Sequence, residues 1–158
     1  MRDLSNPAFV PALLSLALAA SLASAQTTAP ATEPALAAMA DDPALKWGPC
    51  PDFLPAGCAI AVLHGDPARE NLDVFFKVPG KASIPPHWHT SPERMVLVAG
   101  ELHVTYEGQK TDVLKPGSYA YGPAKRAHEG YCASAEPCIL FIAFESPLDA
   151  VPVAAPAK

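Results

Sequence analysis

The sequence has little of what helical, repetitive or nucleic-acid-binding proteins carry. Helix signals are weak throughout; Ala35 to Ala40 could make one turn, but nothing caps it. No internal repeat is present, which excludes a solenoid or propeller. Its 11 Lys and Arg residues are scattered, without a basic stripe, against a net charge of −5. Nucleic acid is therefore not an expected partner. The apolar run near the N-terminus is short for spanning a bilayer, and no cysteine follows it to carry a lipid anchor.

That N-terminal run, Phe9 to Leu22, has instead the form of a secretory signal. Arg2 precedes it, and Ala23-Ser24-Ala25 offers small residues for cleavage before Gln26. Residues 1–25 are thus expected to be removed, leaving no stable membrane anchor and a periplasmic or secreted protein. Residues 26–45, rich in Ala, Pro and Thr, read as a flexible leader. Residues 46–146 read as one domain, and residues 147–158 as a loose tail of similar composition. All four cysteines follow the signal. In an exported chain they suggest two disulfides. Three connectivities exist; the local pairs Cys50–Cys58 and Cys132–Cys138 are favoured because each closes a short loop.

The domain reads as all-β. Short apolar or alternating runs fall near Cys58–His64, Leu72–Val78, Arg94–Ala99, Leu102–Tyr106, Thr111–Leu114, Ser118–Tyr121, His128–Cys132 and Ile139–Phe144. Glu107-Gly108-Gln109 and Lys115-Pro116-Gly117 have the chemistry of turns. Many short strands argue for a small antiparallel barrel or sandwich. The last run is apolar on both faces. Either a second subunit covers it, making a homodimer, or it is a central strand beneath a loop.

One segment concentrates the chemistry: His87-Trp88-His89-Thr90-Ser91-Pro92-Glu93, with His128 downstream. Histidines at i and i+2 of a strand share a face. Three imidazoles and a carboxylate suit Fe, Mn, Ni, Co, Cu or Zn as a divalent ion, and four protein ligands leave coordination positions open. A lone His-x-His is more often surface or satisfied core. Glu93 at its offset and the Pro123-x4-His128 pattern make the joint arrangement far harder to reach by chance.

The spacing resembles the two motifs of the cupin superfamily, G-x5-H-x-H-x3,4-E-x6-G and G-x5-P-x-G-x2-H-x3-N. Here Gly80 precedes His87-x-His89, with Glu93 and Gly100 following. Gly117, Pro123 and His128 follow in turn. The resemblance spans Gly80 to Cys132. It implies a jelly-roll β-barrel with a metal inside, held by His87, His89, Glu93 and His128. Three departures stand out. The gap after Gly80 is one residue longer, Lys125 stands at a motif glycine so that this turn is expected to be built differently, and Cys132 replaces asparagine.

Other residues have plainer readings. Trp88 should face away from the ion, and Met95 and Leu97 share the parity of Glu93 and could line an apolar cavity. Tyr119 and Tyr121 share a face and could offer hydroxyls to a ligand, though core packing is the commoner role. His64 and His103 read as solvated. Lys125-Arg126 could attract an anion at the mouth or simply form a solvated turn. Cys132, in phase with His128, could bring a thiolate toward the cavity; its disulfide is the plainer reading. The expected function is a metal-dependent enzyme, oxygenase- or isomerase-like, on a small organic molecule, with Glu93 able to act as a base. A non-catalytic receptor for a small ligand or metal is the alternative, and an assembly module with a vestigial cavity a third.

Overall fold

The computed structural model describes residues 33–154. The expected signal at residues 1–25 and the first part of the leader lie outside them. A compact unit begins at Ala35. Eleven strands follow in chain order: β1 (Trp47–Pro49), β2 (Ala59–His64), β3 (Leu72–Val78), β4 (Ser83–Trp88), β5 (Glu93–Ala99), β6 (Leu102–Tyr106), β7 (Asp112–Leu114), β8 (Tyr119–Gly122), β9 (His128–Cys132), β10 (Cys138–Phe144) and β11 (Val151–Pro152). No helix occurs among the described residues, including Ala35 to Ala40.

Two antiparallel sheets form, ordered β1-β2-β3-β10-β5-β8 and β11-β4-β9-β6-β7. Their apolar inner faces share one core containing Val74, Met95, Leu97, Leu140 and Ile142 from one sheet and Ile84, Leu102 and Val104 from the other. This is the jelly-roll arrangement, in which each strand alternates inward and outward residues. β10 shows the alternation clearly. Leu140, Ile142 and Phe144 are buried, while Ile139, Phe141 and Ala143 are half-buried on the outer side. It is a central strand, hydrogen-bonded to β3 on one side and β5 on the other.

The eight strands expected from sequence all form, with ends shifted by a residue at most. Three others are not among those runs, although the reading of His87 and His89 places that pair on a strand. β1 is short and broken by glycine and proline. β4 contains Pro85-Pro86, which cannot donate to a ladder and so weaken any strand reading. The structure accommodates them by a register shift: Ile84 pairs with Gly130 and His87 with His128, three steps on β4 against two on β9. Both Ile84 and His87 consequently point inward despite their odd separation. A strict two-residue period cannot reveal such a strand.

The tail differs from expectation between residues 147 and 154. Val151 and Pro152 pair with Trp88 and His87 as β11. Val153 N donates to Pro86 O at 2.9 Å, and Leu148 N to Pro67 O at 2.9 Å. Composition alone suggested looseness, but β4 has an open edge there that takes up a short added strand.

Both local cysteine pairs are bonded, Cys50–Cys58 and Cys132–Cys138. The second, wholly buried, ties the end of β9 to the start of β10 and thus one sheet to the other. It also removes Cys132 as a source of thiolate. Replacing Cys132 and Cys138 together by alanine should lower unfolding free energy by about 2 kcal/mol, the loop-closure value for so short a ring. Urea denaturation of oxidised wild type and variant checks this; coincident curves would contradict it.

Candidate metal centre

Register places the site side chains in one layer. Across β4, β9 and β6, His87 pairs with His128 and His128 with Tyr106. Across the facing sheet, Gly122 pairs with Glu93 and Glu93 with Phe144. All the inward side chains of these rows meet between the sheets. His89 lies one residue past β4 and turns back into the same space. There Lys125 N donates to His89 O at 2.7 Å, fixing the chain after the strand. Lys125 itself has φ 61°. A lysine thus takes a left-handed conformation at the position where the motif has glycine, a backbone state that a non-glycine residue adopts at some cost.

Ring nitrogens of His87, His89 and His128 lie within 4.8 Å of one another. Each histidine uses its other nitrogen on a backbone carbonyl. Nδ1 of His87 contacts Pro85 O at 2.8 Å, that of His89 contacts Asp149 O at 2.5 Å, and that of His128 contacts Arg126 O at 3.2 Å. A carbonyl only accepts, so each Nδ1 carries a proton and Nε2 is the nitrogen left free to meet a cation. The donor set is therefore already in the tautomer that a cation requires. Glu93 sits beside it, with Oε1 3.4 Å from His89 Nε2 and Oε2 3.5 Å from His128 Nε2.

Burial sets the protonation. Desolvation lowers the His87 pKa to about 4, aided by the nearby His89, and the His128 pKa to about 3, aided by His87. Neutral imidazoles are the form that binds metal. Desolvation raises the Glu93 pKa, with His89 partly opposing the rise.

Tyr106 belongs to this layer and was missed in the sequence. It follows Leu102 and Val104 at two-residue steps, the one available signal, and its ring lies 5.1 Å from that of His128. Burial raises its phenol pKa, with the charge of Glu93 adding to the effect. Among the described residues, Tyr106 Oη is the buried side-chain polar atom that lacks a hydrogen-bond partner. Gly122 makes room for it: a Cβ there would lie 2.8 Å from Tyr106 Oη and 3.0 Å from Glu93 Oε2. Three directed imidazoles, an adjacent buried carboxylate and a glycine-made space fit a divalent transition ion.

Other candidates fall elsewhere. Met95 lines the cavity beside the cluster, whereas Leu97 is packed core. Tyr119 and Tyr121 are 62% and 52% exposed, on the outer face, because their partners Val96 and Arg94 also point outward. They cannot serve the cavity. Arg126 donates to Glu107 O, and neither Arg126 nor Lys125 lines the cavity. His103 contacts Glu101 at 3.0 Å, away from the core.

With the geometry in place, comparison with known proteins is informative. Residues 74–144 match the family model described as "Cupin domain". No curated protein matches the sequence. Among solved structures, the polyketide cyclase RemF from Streptomyces resistomycificus aligns with TM-score 0.63 at 15% identity, covering 76% of this chain and 87% of that one. An RmlC-like cupin from Shewanella frigidimarina aligns with TM-score 0.55 at 23% identity, covering 66% and 86%. The DMSP lyase DddQ from Ruegeria pomeroyi aligns with TM-score 0.61 at 18% identity. That match covers 72% of this chain but only 64% of the lyase. These identities speak to fold.

The pKa shifts carry opposite signs for stability. His87 and His128, depressed in the folded state, reduce stability as pH falls from 6.5 toward 4 and below. Glu93, elevated, reduces stability as pH rises through its folded value. Glu93→Gln removes the second effect alone. Metal-free Glu93→Gln should therefore be more stable than metal-free wild type at pH 8, by on the order of 1–3 kcal/mol, and should lose stability more steeply on acidification. Urea titrations from pH 4 to pH 8 test this; a variant no more stable at pH 8 would refute it. Separately, Gly122→Ala should weaken Zn(II) affinity at least tenfold, measured by chelator competition, by displacing Glu93 or Tyr106.

Proposed function

This chain belongs to the cupin superfamily, and from that membership we propose that it binds one divalent transition metal through His87, His89, Glu93 and His128 and acts as a metal-dependent enzyme on a small organic molecule. The observation that carries the reading is the shared orientation of the three imidazoles, each with Nδ1 held by a backbone carbonyl and Nε2 turned to one point. Such outer contacts orient ligands and raise their basicity. A surface or merely packed histidine cluster has no reason to share one tautomer.

When bound, a divalent ion would polarise a carbonyl or lower the pKa of water. The chain's own residues do the rest. His87, His89 and His128 hold their lone pairs inward, and Glu93 adds the negative charge that favours a dication over a neutral ligand field. Alternatively, Glu93 leaves the ion and serves as a base that takes a proton from a bound substrate and returns it. The apolar walls exclude water from that exchange. An oxygenase- or isomerase-type reaction fits this combination. Cupin-fold neighbours named as a lyase and a cyclase are consistent with small-molecule chemistry on such a barrel.

Two disulfides fit an oxidising compartment, which supports export to the periplasm or beyond. Among the described residues no helix is long and apolar enough to cross a membrane.

Protein purified without chelator should contain about one equivalent of metal per chain, and His89→Ala should lose at least 90% of it while keeping the β-sheet circular dichroism of wild type. Elemental analysis after reloading with Fe, Mn, Ni, Cu and Zn in turn is the test. Metal below a tenth of an equivalent in wild type sinks the proposal. Iron with oxygen uptake would assign an oxygenase; substrate proton exchange without oxygen uptake would assign an isomerase.

A further inference from the structure

The cavity beside the metal centre says what kind of molecule enters it. Its volume is about 260 Å³. The walls are aliphatic and aromatic: Val74, Phe76, Leu140 and Ile142 of the six-stranded sheet face Leu102 and Val104 of the other. Pro49, Pro51, Leu54 and Leu148 border it.

Polar side chains are few. His87, His89, Glu93 and His128 form one end. Glu129, exposed, and Asp149, whose carboxylate is held by Thr90 N at 2.8 Å and Thr90 Oγ1 at 2.5 Å, account for the rest. Among the described residues, no Lys, Arg, Ser, Thr, Asn, Gln, Tyr or Trp lines the cavity. A hydroxylated ligand body would therefore bury hydroxyls with no side-chain partner, which is costly. A second charged group on the ligand would meet no cation, and the charged side chains beyond the histidine end are acidic.

We propose that the ligand is a compact molecule with an apolar body and one oxygen-bearing head group directed at the histidine end. Sugars, sugar acids and dicarboxylates are thereby disfavoured. This inference rests on the proposed metal site only for the role of the head group; the apolar body follows from the walls.

A matched pair of probes tests it. Cyclohexanecarboxylate and glucuronate carry the same carboxylate head on a six-membered ring; glucuronate adds hydroxyls and a ring oxygen, so its body is polar where the other is apolar. Both are titrated into full-length protein, metal-free by calorimetry and Co(II)-loaded by calorimetry and the visible absorption of the ion. The loaded protein should bind cyclohexanecarboxylate at least tenfold more tightly, with a change in the cobalt bands. Equal affinity, or a preference for glucuronate, with cobalt bound would overturn the ligand class and leave the metal site standing. Failure to take up cobalt, with the same preference seen by calorimetry, would overturn the metal site and leave the ligand class standing. Neither uptake nor preference would overturn both.

Discussion

The site depends on three imidazole rings being held with one and the same nitrogen turned to a backbone carbonyl inside a largely apolar space. Each ring is clamped by a different backbone carbonyl, from Pro85, Asp149 and Arg126. These carbonyls belong to three separate parts of the chain: the proline step of β4, the segment before β11, and the turn before β9. The geometry is therefore a property of the whole jelly roll. No local segment could hold it, because two of the three clamps sit within two residues of their histidine but the third, on His89, comes from sixty residues away.

This dependence explains why features with no chemistry of their own matter. Pro85-Pro86 stiffens the approach to His87 and forces the register shift that turns both Ile84 and His87 inward. Asp149 gives a carbonyl to His89 while its carboxylate grips Thr90, so the C-terminal segment is bound to the ligand loop at two points. The Cys132–Cys138 bond joins the strand of His128 to the central strand of the opposite sheet. Each restricts motions that would separate the imidazoles.

Much of this was legible beforehand. The β-class, eight strands, both disulfides and the convergence of His87, His89 and His128 follow from alternation, turn residues and motif spacing. What was not legible has specific causes. β4 hides behind prolines and a bulge, so a period of two does not apply. β11 is held by tertiary pairing that composition cannot show. Tyr119 and Tyr121 face outward because parity identifies two faces without saying which is inside. Tyr106 carries no motif of its own; only the register beside His128 places it in this layer. Lys125 could not be read for its conformation either, since nothing in a lysine's chemistry announces a left-handed backbone.

Buried ionisable or unpartnered polar groups gather in one layer. In a well-packed core such groups are rare. Here Glu93, a buried carboxyl, and Tyr106 Oη, a buried hydroxyl without a partner, both border the position that a Cβ at Gly122 would fill. They sit in the same layer as two imidazoles whose basicity burial has suppressed. An apolar set of side chains at these positions would fold more stably. A divalent cation reverses the balance for the ligands, since it favours both the ionised carboxylate and the neutral imidazole at once. Stability given up in one layer, between walls that are otherwise apolar, is the pattern expected of a site kept for binding and not for folding.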